Sequence, residues 1–164
     1  MEEPCMIELY HGSNMVVTEV DLNRCRIGKD FGKGFYLSDD KYQAMKMSML
    51  VTRREGEGEP TLNTFLFDET VLSSNILNFM RFDSYSAEWA EFVLMNRNNK
   101  SDVVAHDYDI VYGPIANDRI GLQIKRLEQG ILTPKGFLRN IRFVQPTFQY
   151  YFGTEHSLLF LRSK

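Results

Sequence analysis

A chain of 164 residues that is 43% hydrophobic, 25% charged and 13% aromatic has the composition of one globular domain with a real core, and is too short for two. A net charge of −3 excludes a molecule that is basic all over, the simplest form of nucleic-acid binder. No apolar run reaches the length of a membrane span, and the opening MEEPCMIELY lacks the basic-then-apolar order of a signal peptide. Cys5 and Cys25 stand alone, with no CxxC and no metal-ligand spacing. The expectation is a single cytoplasmic domain over residues 1–164 with reduced thiols, an occasional disulfide being left open.

In chain order, Ile7 to His11 predicts a short strand, followed by a polar loop to about Lys29. Gly34 to Leu37, inside FGKGFYLS, predicts a second strand that delivers Tyr36 just after two glycines. Asp39 or Asp40 is placed to cap a helix from Lys41 to about Thr52. RREGEGEP, at 53–60, is charged, carries two glycines and ends on proline, which predicts an exposed, mobile loop. Thr61 to Phe67 alternates as a strand does. SAEWAEFVLMNR, at 86–97, puts Trp89, Phe92, Val93 and Met95 at helical spacing, which predicts a core helix. YDIVYGP, at 108–114, predicts a buried strand, with Asn117 and Asp118 following it. A basic amphipathic helix is predicted from about Arg119 to Gln129 with Gly130 as its stop, and Thr133-Pro134 opens another short helix. Phe148 to Phe152 predicts a last aromatic strand, and Thr154-Glu155 caps a terminal helix, HSLLFL. Strands and helices intermingle without the regular alternation of a doubly wound fold, so the fold class is α+β.

Charge is unevenly spread. Arg119, Lys125, Arg126, Lys135, Arg139 and Arg142 face one acid, Glu128, so residues 119–142 carry +5 and the remainder −8. Two readings stand: a pair of solvated helix faces, or a surface that meets phosphate.

The common enzyme templates are absent: no P-loop, no GxSxG, no HExxH, no GxGxxG after a strand. Three scattered histidines (His11, His106 and His156) argue no metal site. What recurs is a short strand ending on a polar or aromatic side chain beside glycine: His11 before Gly12-Ser13, Tyr36 after Gly32 and Gly34, Gln149 in the last strand.

LYHGSN (9–14) with FGKGFYLSDD (31–40) resembles the signature strands of the ADP-ribosyltransferase superfamily, in the branch of poly-ADP-ribose polymerases and diphtheria toxin. A small bacterial single-domain family within it, long labelled only as of unknown function, is similar further, through EWAEFVLMNR, YDIVYGPIANDR and QYYFGTEHSLLFL. The resemblance implies a split β-sheet core with NAD as co-substrate across the cleft and no metal. It implies that His11 bonds a ribose hydroxyl, that Gly12 offers its backbone to the nicotinamide carboxamide, and that Ser13 adds a polar contact. Tyr36 would stack on nicotinamide, its face kept open by glycines such as Gly34, and Met47 would replace the aromatic usual on the other side. Gln149 maps to the third catalytic position, where the branch has glutamate; Glu155 and Asp118 are alternative carboxylates. The implied activity is mono-ADP-ribosylation of a protein or nucleic acid, as a bacterial toxin restrained by an antitoxin or as a defence enzyme. An NAD glycohydrolase, or a catalytically weak NAD- or ADP-ribose-binding or protein-interaction module, is the alternative.

Overall fold

The computed structural model describes residues 3–164; Met1 and Glu2, part of the acidic opening, lie outside the described residues. Seven strands and five α-helices follow one another: β1 (Met6–Ser13), β2 (Phe35–Leu37), α1 (Lys41–Glu55), β3 (Thr61–Asp68), β4 (Phe79–Arg81), α2 (Ala87–Arg97), β5 (Ile110–Pro114), α3 (Asp118–Glu128), α4 (Pro134–Ile141), β6 (Phe148–Phe152), α5 (Glu155–Leu158) and β7 (Leu161–Ser163). The fold is α+β, with two sheets in the orders β1-β3-β7 and β2-β6-β5-β4. All strand pairs are antiparallel except β4 with β5.

Capping fixes the helix starts. Asp40 accepts from the N–H groups of Tyr42 and Gln43, Ser86 from Trp89, Asn117 from Ile120 and Thr133 from Gly136, each meeting a donor that the first helical turn leaves unpaired. Gly56, in the left-handed region at φ 70°, stops α1.

Side-chain alternation sorts the sheets into two apolar layers. Leu9, Phe35, Leu37, Phe65, Phe67, Ile110, Tyr150 and Phe152 form the layer between the two sheets. The intervening positions Val111 and Tyr151 turn to the opposite face, where Trp89, Val93, Ile120, Ile124 and Phe137 cover them from α2, α3 and α4. Tyr36, between Phe35 and Leu37, therefore faces this second layer. The Trp89 indole N–H donates to the Pro114 carbonyl at 3.2 Å and fixes α2 to the end of β5.

Several expectations are corrected. The 53–60 segment is not one loose loop: α1 runs through Glu55, and the turn after it is tied to Asn14, whose Nδ2 donates to the Glu57 carbonyl and whose own carbonyl accepts from Glu59 N–H. Met95 is 41% exposed and is not core, whereas Trp89 and Val93 are fully buried. The terminal helix stops at Leu158, and Leu161–Ser163 turns into β7 on the free edge of β3. β4 has no counterpart among the predicted elements, because three residues are too few to show a period. Among the described residues, no helix is long and apolar enough to cross a membrane.

Candidate functional site

The two sheets meet at one rung. Tyr10 N–H donates to the Ser38 carbonyl at 2.7 Å, and Ser38 N–H returns a bond to the Tyr10 carbonyl at 2.8 Å. In an antiparallel ladder the next such pair lies two residues along each strand, which here is Gly12 with Tyr36. That rung is not made. The Tyr36 carbonyl is taken at 2.6 Å by Nδ1 of His11, so an imidazole stands where a ladder bond belongs. Alternation along β1 aims the Gly12 N–H and C=O out of the same edge as those of Tyr10, into the gap that opens between β1 and β2. Backbone groups in such a gap require a partner, from water or from a ligand.

The gap widens into a cleft of about 610 Å³, within the size range of small-molecule and cofactor sites. All seven residues picked out from the sequence line it: His11, Gly12 and Ser13 from β1, Gly34 and Tyr36 at β2, Met47 from α1 and Gln149 from β6. Glu155 and Asp118 do not; the acidic side chains on the lining are Glu19, Asp21 and Asp30. Asn117 is occupied in capping α3, while its neighbours Ile115 and Ala116 line the cleft.

The bond to Tyr36 fixes the state of His11. A carbonyl only accepts, so Nδ1 carries the proton, and Nε2 of the neutral ring keeps a lone pair. Burial pushes the His11 pKa below its ordinary value, against the bond to Tyr36, which raises it; Lys29 nearby lowers it further. The neutral ring is thus a hydrogen-bond acceptor at neutral pH. Because the folded-state pKa lies below the unfolded value of about 6.5, this group's contribution to stability is present above that pH and is lost as pH falls through the folded pKa. Acidification is accordingly expected to lower the melting temperature of the native protein more than that of His11→Gln. Parallel melting curves across that range make the comparison, and equal slopes would sink it.

Tyr36 is at once a core anchor and a cleft wall. Its hydroxyl donates to the Gly32 carbonyl at 2.7 Å and accepts from Phe31 N–H at 2.9 Å, and Tyr151 packs against it edge-on at 5.4 Å. The adjacent glycines are required by the packing. A Cβ on Gly34 would fall 2.2 Å from Cε2 of Tyr151, and Gly32 sits at φ 102°, which only glycine adopts readily. Gly12 is constrained likewise: a Cβ there would lie 1.9 Å from the Ala44 carbonyl oxygen, so α1 packs on bare backbone. His106, given no role from sequence, is structural: Nε2 bonds the Phe31 carbonyl at 2.7 Å and Nδ1 accepts from Tyr108 N–H at 3.1 Å.

Sequence reading missed the cationic wall. Arg26, Lys29 and Arg54 all line the cleft, and both arginines share Glu55, at 2.5 and 3.2 Å. Lys29 has no carboxylate within ion-pair distance among the described residues and lies 5.9 Å from the centre of the Tyr36 ring. Burial lowers its pKa first, then the neighbouring Arg54 and Arg26. Arg24 lines the cleft as well, but it is paired with Asp21 at 3.7 Å, so Lys29 between the two arginines is the cation best placed to meet an anion. Arg97 is different, being neutralised by Asp30 at 2.7 Å. These residues come from the 14–34 loop and the far end of α1, and no sequence spacing joins them.

Residues 7–162 match the model of a protein family described as Protein of unknown function (DUF3990). The protein belongs to this family. The match runs from β1 to β7, so every wall of the cleft lies within the family's shared region. No curated protein and no solved structure matches it significantly.

Proposed function

We propose that the protein is an NAD-dependent mono-ADP-ribosyltransferase with an ADP-ribosyltransferase-like split-sheet core. The observation that carries this reading is the missing rung: the His11 imidazole replaces it, and the backbone of Gly12 is left facing a cleft walled by Tyr36. A carboxamide is a donor and an acceptor on one planar group, which is what paired backbone C=O and N–H groups receive. In this reading nicotinamide lies at Gly12 and Tyr36, and Nε2 of His11 accepts from a ribose hydroxyl. Arg26, Lys29 and Arg54 meet the diphosphate, an anion that accepts charge-assisted hydrogen bonds from such groups. Lys29 must leave the Tyr36 face as the pyridinium arrives, since both are cations, and the diphosphate offers it a new partner.

The nicotinamide–ribose bond then breaks with positive charge building on the sugar, as in other glycosyl transfers. Gln149 orients a ribose hydroxyl by hydrogen bonding but supplies no charge and no base, which favours single transfer to a good nucleophile over polymer elongation. An enzyme of this kind consumes NAD and marks macromolecules, so an inhibitory protein of the antitoxin type belongs to the proposal. The neutral Gln149 and the lysine over Tyr36 also favour a second reading, a binding module for NAD or ADP-ribose with little turnover.

The test is to incubate the protein and His11→Ala with labelled NAD and a bacterial lysate, then separate protein, nucleic acid and free ADP-ribose. Label in a macromolecular fraction that the variant does not produce is the expected result. Label only in free ADP-ribose makes the protein a glycohydrolase. No loss of NAD, with NAD bound by the folded protein, replaces the transferase reading by the binding module. Neither binding nor turnover rejects both.

A further inference from the structure

We propose that the outer faces of α3 and α4 form a docking surface for single-stranded nucleic acid, beside the mouth of the cleft. Each helix is split cleanly. On α3, Ile120 and Ile124 are buried while Arg119, Leu122, Lys125 and Arg126 are exposed; on α4 and its C-cap Arg142, Phe137 and Ile141 are buried while Lys135, Arg139 and Arg142 are exposed. The cations on α4 fall at i, i+4 and i+7, a single stripe opposite the buried one. The two helices are joined by a hydrogen bond from Asn140 Nδ2 to Gln123 Oε1 at 3.1 Å. None of the six cations has a carboxylate within ion-pair distance among the described residues.

Ordinary helix stabilisation accounts for only part of this pattern. Lys125 and Arg126 sit in the last turn of α3 and Arg139 in that of α4, where the helix dipole favours positive charge. Arg119 and Lys135 occupy the second positions of their helices, where the dipole disfavours it, so folding does not ask for cations there. A row of unpaired cations suits a phosphate backbone. A second observation selects a strand with exposed bases over a duplex or an acidic protein. Phe143, just after α4, is 84% exposed, and the Arg142 guanidinium lies 4.7 Å over its ring. Interleaved cation and aromatic is the chemistry that holds unpaired bases.

Placement links this surface to the cleft. The polypeptide leaves the cleft lining at Ala116, makes α3 and α4, and returns to it at Gln149. A strand held on the helix pair therefore lies near both feet of the insertion, where an acceptor nucleophile is needed. That the bound strand is the acceptor rests on the transferase reading; the binding itself does not.

The experiment measures fluorescence anisotropy of a labelled, mixed-sequence single-stranded oligonucleotide, as DNA and as RNA, across a salt series and without NAD. The native protein is expected to bind, with affinity falling linearly against salt on logarithmic axes. Lys135→Gln/Arg139→Gln/Arg142→Gln should bind roughly tenfold or more weakly, with a salt slope smaller by about 2. Phe143→Ala should lose roughly 5- to 100-fold in affinity with the slope unchanged. Both variants change only exposed side chains, and unaltered melting curves establish that they are folded. Three outcomes overturn the proposal: no salt-dependent binding, equal binding by the triple variant, or capture of polyglutamate as tight as that of the oligonucleotide with Phe143→Ala indifferent. The last would make the partner an acidic protein. NAD cleavage without acceptor should be the same in all three proteins, so failure here and failure of the transferase reading are read separately.

Discussion

Under the proposed function, Gln149→Glu is expected to accelerate NAD cleavage by on the order of 10²-fold. The position faces the cleft from β6, beside the β2 edge that presents Tyr36. A carboxylate ~4.5 Å from the developing sugar cation, at an effective dielectric of ~20, stabilises that charge by roughly 3–4 kcal/mol. Rate arithmetic turns this into 10² to 10³ on the order of magnitude, and the partial exposure of Gln149 places the gain toward the lower end. A neutral amide keeps the hydrogen bond and forgoes the charge, so the native protein is a slow enzyme under the proposed function. Initial rates of nicotinamide release by the two proteins decide the matter. A change of less than about twofold would mean that residue 149 does not face the reacting sugar.

Gly12→Ala is expected to lower stability and, under the proposed function, NAD binding with it. The new methyl carbon would stand 1.9 Å from the Ala44 oxygen and 2.6 Å from the Ser48 nitrogen, both backbone atoms of α1. Neither can swing aside as a side chain does, so the helix has to withdraw. Overpacking of this kind costs about 1–3 kcal/mol, and a collision with backbone belongs at the upper end. For a domain of this size that corresponds to a fall of roughly 6–12 °C in melting temperature. Withdrawal of α1 also carries Met47 out of the cleft wall, so nicotinamide affinity should fall with it. Thermal unfolding and nicotinamide titration of the variant test the pair of effects, and a melting temperature equal to the native one would exclude the close packing described.

The contrast between these two positions shows what was legible in the sequence. His11, Gly12, Tyr36 and Gln149 lie in short strands whose β-branched and aromatic flanks mark them, and they fall in separate phrases that the fold brings to one cleft. The reasons for the glycines were not legible. A glycine beside a candidate ligand site invites the reading that the ligand needs the space, whereas Gly12 admits α1 and Gly34 admits the Tyr151 ring. Only the partner across the contact distinguishes the two, and that partner is distant in sequence. The same holds for Arg26, Lys29 and Arg54, which become a cluster only when the 14–34 loop lies against the end of α1. The terminal helix is expected through Leu161 and ends at Leu158: Thr154 is a true cap, and a cap states where a helix begins without stating its length. Local signals gave starts; long-range pairing decided the ends.

The order of strands has a bearing on synthesis. β3 lies between β1, which is synthesised before it, and β7, which is synthesised long after it, while β2 waits for β6 to complete its sheet. Phe35 pairs with Phe152, and Leu161 with Phe67, so both sheets close through contacts that span much of the sequence. Such pairings form slowly and only after the intervening segments have emerged. A nascent polypeptide that has not yet released Gln149 from the ribosome lacks one wall of the cleft and the neighbour that holds Tyr36 in place. Under the proposed function, catalytic competence arrives only when β6 has emerged and paired with β2, so a nascent polypeptide shorter than that consumes no NAD of the cell that makes it.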